Sequence, residues 1–165
     1  MSVAPLIKDK SAFHFVVLGR PQPAGSKRAF LIRKAGEVKG VAVTEDAKHS
    51  RTWRQLVQSA ATDALGWTPE PDTWGYFSLA GPLVLEATFY VARPAGHFGT
   101  GRNAGVVRAS APRFPTVRPD ATKLVRALED ALTGLVWRDD AQVVSQHIHK
   151  RFGTPERAEV TVSRL

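Results

Sequence analysis

Between Asp120 and the Asp139 and Asp140 pair lies a run whose apolar spacing fits one local structure. Leu124, Val125, Leu128, Ala131, Leu132 and Leu135 recur at offsets of 1, 4, 7, 8 and 11, the stripe of a helix with one buried face. Thr122, Arg126 and Asp130 fall on the other side, one turn apart, with Asp130 placed to pair with Arg126. Asp120 or Thr122 supplies the N-cap oxygen, and Gly134 stands where a C′ glycine stops a helix. The predicted helix spans about Thr122 to Thr133.

Spacing also asks whether the flanking acids meet. Eleven helical steps at roughly 1.5 Å carry the chain about 17 Å from the helix start. Five extended residues after Gly134, at roughly 3.3 Å each, carry it about 17 Å back. A reversal at Gly134 followed by extended chain returns Asp139 and Asp140 to Asp120. The alternative is that the pair serves a site on a partner subunit, and spacing leaves both open. Each acid also has an ordinary reading, Asp120 as a helix cap and Trp137 to Asp140 as a turn.

The rest of the chain supplies the layer against which that helix packs. Phe13 to Leu18 reads as a buried strand, broken by Gly19, Pro21, Pro23 and Gly25 into a loop ending in Ser26, Lys27 and Arg28. Phe30 to Ile32 and Val41 to Val43 form a hairpin around Gly36 to Gly40, with Arg33, Lys34 and Lys39 adding charge. Thr44 is placed to cap a second amphipathic helix, with Trp53, Leu56, Val57, Ala60, Ala61, Ala64 and Leu65 as its core stripe and Lys48, Arg51 and Arg54 outside. A connection, Trp67 to Tyr76, leads to the strand Leu83 to Val91, whose alternation puts Glu86, Thr88 and Tyr90 on one face. Pro94 to Arg118 is rich in Gly, Pro and Arg and has no acid, and reads as a long flexible loop that orders on a polyanion. Gln142 to Ile148 and Glu159 to Leu165 close the chain as strands joined at Gly153-Thr154-Pro155. His147 and His149 share a strand face; His14, His49 and His97 are too scattered to complete a zinc site with them, so with Lys150 and Arg151 they are expected on phosphate or solvent. This order suggests one α+β domain over residues 1–165, a mixed sheet covered by two amphipathic helices.

At 165 residues the chain buries a core without staples, and the absence of cysteine excludes disulfides and thiolate zinc. Residues 1–10 lack a signal-peptide apolar region and no run approaches the roughly 18 apolar residues of a membrane span, so a soluble, cytoplasmic protein is expected. A net charge of +8 points to a polyanionic partner.

Pro119, Asp120, Leu124, Asp130, Ala131, Leu132, Thr133, Gly134, Trp137, Asp139, Asp140, Gln142 and Val143 form an ordered run over about 27 residues. It resembles the RusA family of Holliday junction endodeoxyribonucleases, with a weaker echo near Gly19 to Arg28. The resemblance implies a Mg²⁺-dependent (or Mn²⁺-dependent) endonuclease acting as a homodimer on branched DNA in recombination and repair. It implies metal binding by Asp120, Asp139 and Asp140, with Arg126 facing the scissile phosphate. Lys27, Arg28, Arg113, Arg118 and Lys123, basic residues of the two loops and the helix start, are expected on DNA.

Three positions depart from the family pattern. Thr122 replaces an Asp, removing one charge and one strong oxygen ligand for a hard cation. Lys123 replaces Asn, and Arg126 replaces Lys, which limits that position to an electrostatic role. Glu86, on the preceding strand, is a candidate replacement for the missing ligand. The alternatives are a catalytically impaired relative that binds branched DNA, and a basic RNA-associated protein whose aspartates are only caps and turns.

Overall fold

The computed structural model describes residues 12–34, 36–46, 50–66 and 79–165. Residues 1–10, Lys48, His49 and the 67–76 connection lie outside the described residues. The elements are β1 (Ala12–Leu18), β2 (Ser26–Lys34), β3 (Glu37–Asp46), α1 (Ser50–Leu65), β4 (Leu83–Val91), α2 (Ala121–Leu132), β5 (Val143–Phe152) and β6 (Arg157–Arg164).

The main sheet has the order β1-β6-β4-β5. β6 runs antiparallel to both β1 and β4, while β4 and β5 are parallel. A parallel pair cannot be joined by a tight turn. The crossover here is loop 94–118 followed by α2, which makes the sheet mixed, as expected of an α+β domain. Alternation then sorts the sheet's two faces. Phe13, Phe15 and Val17 of β1, Leu83, Leu85, Ala87 and Phe89 of β4, and Ala158, Val160 and Val162 of β6 are buried. Trp53, Val57 and Ala61 of α1, with Leu124, Leu128, Ala131 and Leu132 of α2, cover that inner face. Both helices pack on each other and on the sheet, α1 against β1 and α2 against β5.

Several boundaries differ from the sequence reading, for physical reasons. β1 is buried on one face only, with Val16 and Leu18 outward. Thr44 lies in β3 instead of capping a helix, because the hairpin is longer than its apolar centre suggests. β2 likewise takes up Lys27 and Arg28, so these two stand on a strand and not in the preceding loop. The hairpin forms a two-stranded sheet of its own, and its turn is tighter than expected: Gly36 has φ 83° and Glu37 to Gly40 already belong to β3.

Loop 94–118 carries more structure than its Gly and Pro content suggests. It contains two 3-10 turns, Ala95–His97 and Gly101–Asn103, and a bridge between Phe98 and Val107. The Gly99 N–H donates to the Val106 carbonyl at 2.8 Å, and Arg108 N–H to His97 at 2.9 Å. A Cβ on Gly99 would stand 2.7 Å from the Asn103 carbonyl oxygen, so the fold of this loop depends on glycine there.

Candidate active site and nucleic-acid surface

Asp120 is the N-cap residue of α2, with extended backbone, but its side chain makes no cap hydrogen bond. The carboxylate is exposed and lies 4.0 Å from the Lys123 ammonium. Thr122, Lys123 and Arg126 follow on the exposed face of α2. The expected Arg126–Asp130 ion pair does not form, so Arg126 presents its guanidinium without a carboxylate partner among the described residues.

At the other end of α2 the chain reverses as predicted. Gly134 takes φ 81°, and its N–H donates to the Trp137 carbonyl at 2.7 Å. Trp137 is fully buried, with its indole N–H on the Thr133 hydroxyl at 3.0 Å. Asp139 caps a 3-10 turn, Asp140–Gln142, its carboxylate accepting the Ala141 N–H at 2.9 Å. Gln142 completes the box: its amide oxygen accepts the N–H groups of Arg138 and Asp139 at 2.9 and 3.2 Å.

The reversal does not bring the acids together. Residues 134–142 are spent on tight turns, and extended chain begins only at Val143, after the aspartates. It is β5 that makes the return run, antiparallel to α2. Gln146, early in β5, reaches Glu129 near the helix C-terminus at 2.5 Å, while Lys150, late in β5, reaches the carbonyls of Val117 and Pro119 beside the helix N-terminus. Asp120 and the acidic pair thus flank the two ends of α2, whose 12 residues span about 18 Å at roughly 1.5 Å each. Among the described residues no three His, Cys, Asp or Glu side chains are arranged to hold a metal ion. The described carboxylates of one chain therefore do not form a three-ligand cation site.

Asp140 instead lies near Glu129. Burial pushes the half-buried Glu129 carboxyl above the ordinary glutamate range, and the charges of Asp140 and Asp130 push it further. Glu86 is not a substitute ligand. It lies on the sheet face opposite the helices, where it lines a shallow cavity of about 270 Å³ with Thr88, His147, His149, Glu159 and Thr161. His14, remote in sequence, joins that cavity because β1 and β5 flank β6 and β4 in one sheet.

Basic residues gather at the Asp120 end. Arg93 donates to the Pro112 carbonyl at 2.8 Å and stacks on Phe152, tying loop 94–118 to β5. The exposed Phe114 ring has the guanidinium groups of Arg113 and Arg151 at 5.4 and 5.0 Å from its centroid. Arg118, two residues before Asp120, is exposed. Ahead of β2, the Ala24 N–H donates to the Lys123 carbonyl at 2.8 Å, docking the Gly19–Gly25 segment on the first turn of α2. The segment leading into Lys27 and Arg28 thus adjoins Asp120 and Lys123, whereas Asp139 and Asp140 stand apart.

Sequence reasoning gave no role to Glu129, named Gln142 only within the ordered run, and expected Lys150 on phosphate or solvent, whereas its ammonium lies on the Val117 and Pro119 carbonyls. Lys150 had a legible signal, since strand parity puts it on the same face as Gln146 and Ile148. Glu129 lies four residues after Val125, at the edge of the apolar stripe, and only packing against β5 reveals it.

A family model described as endodeoxyribonuclease RusA matches residues 21–163. The chain is also similar to a Bacillus subtilis (strain 168) protein called uncharacterized protein YqaN, at 26% identity over 151 residues, covering 92% of this chain and 95% of that one.

Proposed function

Because this chain belongs to the RusA endodeoxyribonuclease family, we propose that it hydrolyses phosphodiester bonds in branched DNA, resolving four-way junctions during recombination and repair. The observation that carries this reading is the family match over residues 21–163, which contains every candidate acid and the basic surface beside Asp120.

Asp120, Asp139 and Asp140 are proposed as the acids of the reaction, Mg²⁺ or Mn²⁺ as its cofactor, and a homodimer as its working form. One chain holds its acids at the two ends of α2. A two-fold dimer offers a route by which Asp120 of one protomer meets the acidic pair of its partner, and it suits the symmetry of a four-way junction. Arg126, without a carboxylate partner among the described residues, would lend positive charge to the scissile phosphate, and cannot serve as a base. Arg113, Arg118, Lys123, Lys27 and Arg28 are proposed to hold the DNA backbone, with Arg151 added by its place beside Phe114. Loop 94–118 is proposed to tighten on DNA from the partly ordered form described above. The cytoplasm, where chromosomal DNA is reached, is the proposed compartment.

Thr122 favours a second reading, a relative that binds junctions without cutting them, since Glu86 does not restore the lost carboxylate. Cleavage of a labelled four-way junction beside linear duplex, with Mg²⁺, Mn²⁺ or chelator, separates the two. Paired nicks that disappear with chelator and in Asp120→Asn or Asp140→Asn support the nuclease. Tight junction binding without nicks under either metal supports the binding protein.

A further inference from the structure

We infer that Lys150 is a positioning residue for the reaction, fixing the backbone that carries Asp120. The inference rests on the proposed reading of Asp120 as part of the reacting centre. In sequence, Lys150 belongs to a polar run with His147, His149 and Arg151, and such a run is ordinarily solvated or bound to phosphate. Strand alternation separates its members. His147 and His149 line the cavity on the open face, whereas Lys150 is half-buried on the inner side with Ile148.

The ammonium of Lys150 is spent on main chain. Its Nζ donates to the Val117 carbonyl at 2.7 Å and to the Pro119 carbonyl at 2.9 Å. The second carbonyl belongs to the peptide unit that enters Asp120, so the grip is applied one residue before the acid. Charge-assisted bonds of this length are stronger than neutral ones, and a lysine delivers them by laying its methylene stem along the sheet while its head reaches the loop.

The helix holds Asp120 only by its carbonyl, which accepts the Leu124 N–H at 3.1 Å, and leaves the entering peptide and the carboxylate to other partners. Its side chain makes no cap bond, and its ion pair with Lys123 spans 4.0 Å. The direction of the carboxylate is therefore set by its backbone. That backbone is held on one side by Lys150 from β5 and on the other by the Ala24 N–H, which bonds the Lys123 carbonyl at 2.8 Å. Lys150 touches no reacting atom in this arrangement; it acts through Asp120.

The test is steady-state cleavage of a labelled four-way junction by wild type, Lys150→Met, Lys150→Arg and Asp120→Asn, with thermal unfolding of each. Junction affinity is measured across salt concentrations in chelator, where no cleavage interferes. Lys150→Met is expected to lower kcat roughly 10- to 100-fold, the usual range for a residue that orients a ligand, with KM unchanged. The slope of log affinity against log salt should also stay unchanged, because this ammonium displaces no counterion from phosphate. Lys150→Arg, which still donates to two carbonyls, should recover part of kcat. If Lys150→Met does not fold, Lys150→Arg and Lys150→Gln carry the same comparison. A normal kcat in a folded Lys150→Met protein, with Asp120→Asn inactive, overturns the positioning role alone. Weaker binding with a salt slope reduced by about one would make Lys150 a phosphate contact and also overturn it. An active Asp120→Asn, or a wild type that binds and never cuts, overturns the reading of Asp120 itself.

Discussion

The Gln142 side chain bonds the Asp139 backbone to the irregular segment that leads into β4 at Leu79 and Gly81. Its amide oxygen accepts the Asp139 N–H at 3.2 Å and the Arg138 N–H at 2.9 Å, while its amide nitrogen donates to the carbonyls of Leu79 and Gly81 at 2.8 and 3.3 Å. Gln142→Ala is expected to lose roughly 1–3 kcal/mol of stability, since these groups return to water only in part. Gln142→Glu should cost more, because a carboxylate would face two carbonyl oxygens with no donor to give. Urea unfolding of both variants checks the order; equal midpoints for Gln142→Ala and wild type would refute it.

Glu129 makes stability depend on pH in a definite direction. Its carboxyl is raised by burial first and then by Asp140 and Asp130, so the folded chain binds its proton more tightly than the unfolded chain does. Ionisation therefore costs stability. The cost is absent below the ordinary glutamate value of about 4.3, grows as pH rises toward the raised value, and is complete above it. Glu129→Gln keeps an acceptor for the Gln146 amide and removes the charge. The variant should be more stable than wild type near neutral pH, with the difference closing as pH falls toward about 4. Denaturant midpoints across that range decide the matter, and a constant difference would show that charge is not the cause.

Trp53 and Trp137, both fully buried, should respond differently to trimming. The Trp137 indole N–H donates to Thr133, while the Trp53 indole N–H is buried with no hydrogen-bond partner among the described residues. Both lose packing on replacement by Phe, but only Trp137→Phe also breaks a hydrogen bond, whereas Trp53→Phe removes a buried donor that has no partner among the described residues. Trp137→Phe is expected to cost roughly 1 kcal/mol more than Trp53→Phe, measured as unfolding free energy in urea.

Arg93 should govern how firmly loop 94–118 is held. Arg93→Ala removes the bond to Pro112 and the stacking on Phe152. Limited proteolysis is expected to cut residues 94–118 faster in this variant than in wild type. A four-way junction should protect the wild-type loop; identical cleavage with and without DNA would refute its proposed tightening.

The Phe114 cluster predicts a salt signature. Arg113→Ala and Arg151→Ala should weaken junction binding and each lower the salt slope by about one, if both guanidinium groups face phosphate. Affinity measured across salt concentrations reads this directly.

What the sequence disclosed followed how local the cause was. The α2 stripe and the Gly134 stop are set by residues within a few turns of one another, and they match the structure to within a residue. The strands with clean alternation were legible for the same reason. The meeting of Asp120 with Asp139 and Asp140 required knowing where extended chain begins. That is set by the capping of Asp139 and Gln142, and the return came eight residues later than a simple reversal implies. Thr44 and the Lys27–Arg28 pair were misassigned because hairpin length depends on cross-strand partners that no local pattern declares. Lys150 needed tertiary placement to separate it from the histidines around it.

The sheet order also sets a schedule for folding. β1 and β4 both bond to β6 and not to each other, although β6 follows both in the chain, β1 by more than 130 residues. A nascent chain emerging from the ribosome therefore holds β1 without its partner until residues 157–164 are available. Such long-range closure is slow and leaves edges open to wrong pairing. During translation, β1 therefore waits longer for its sheet partner than β4 does.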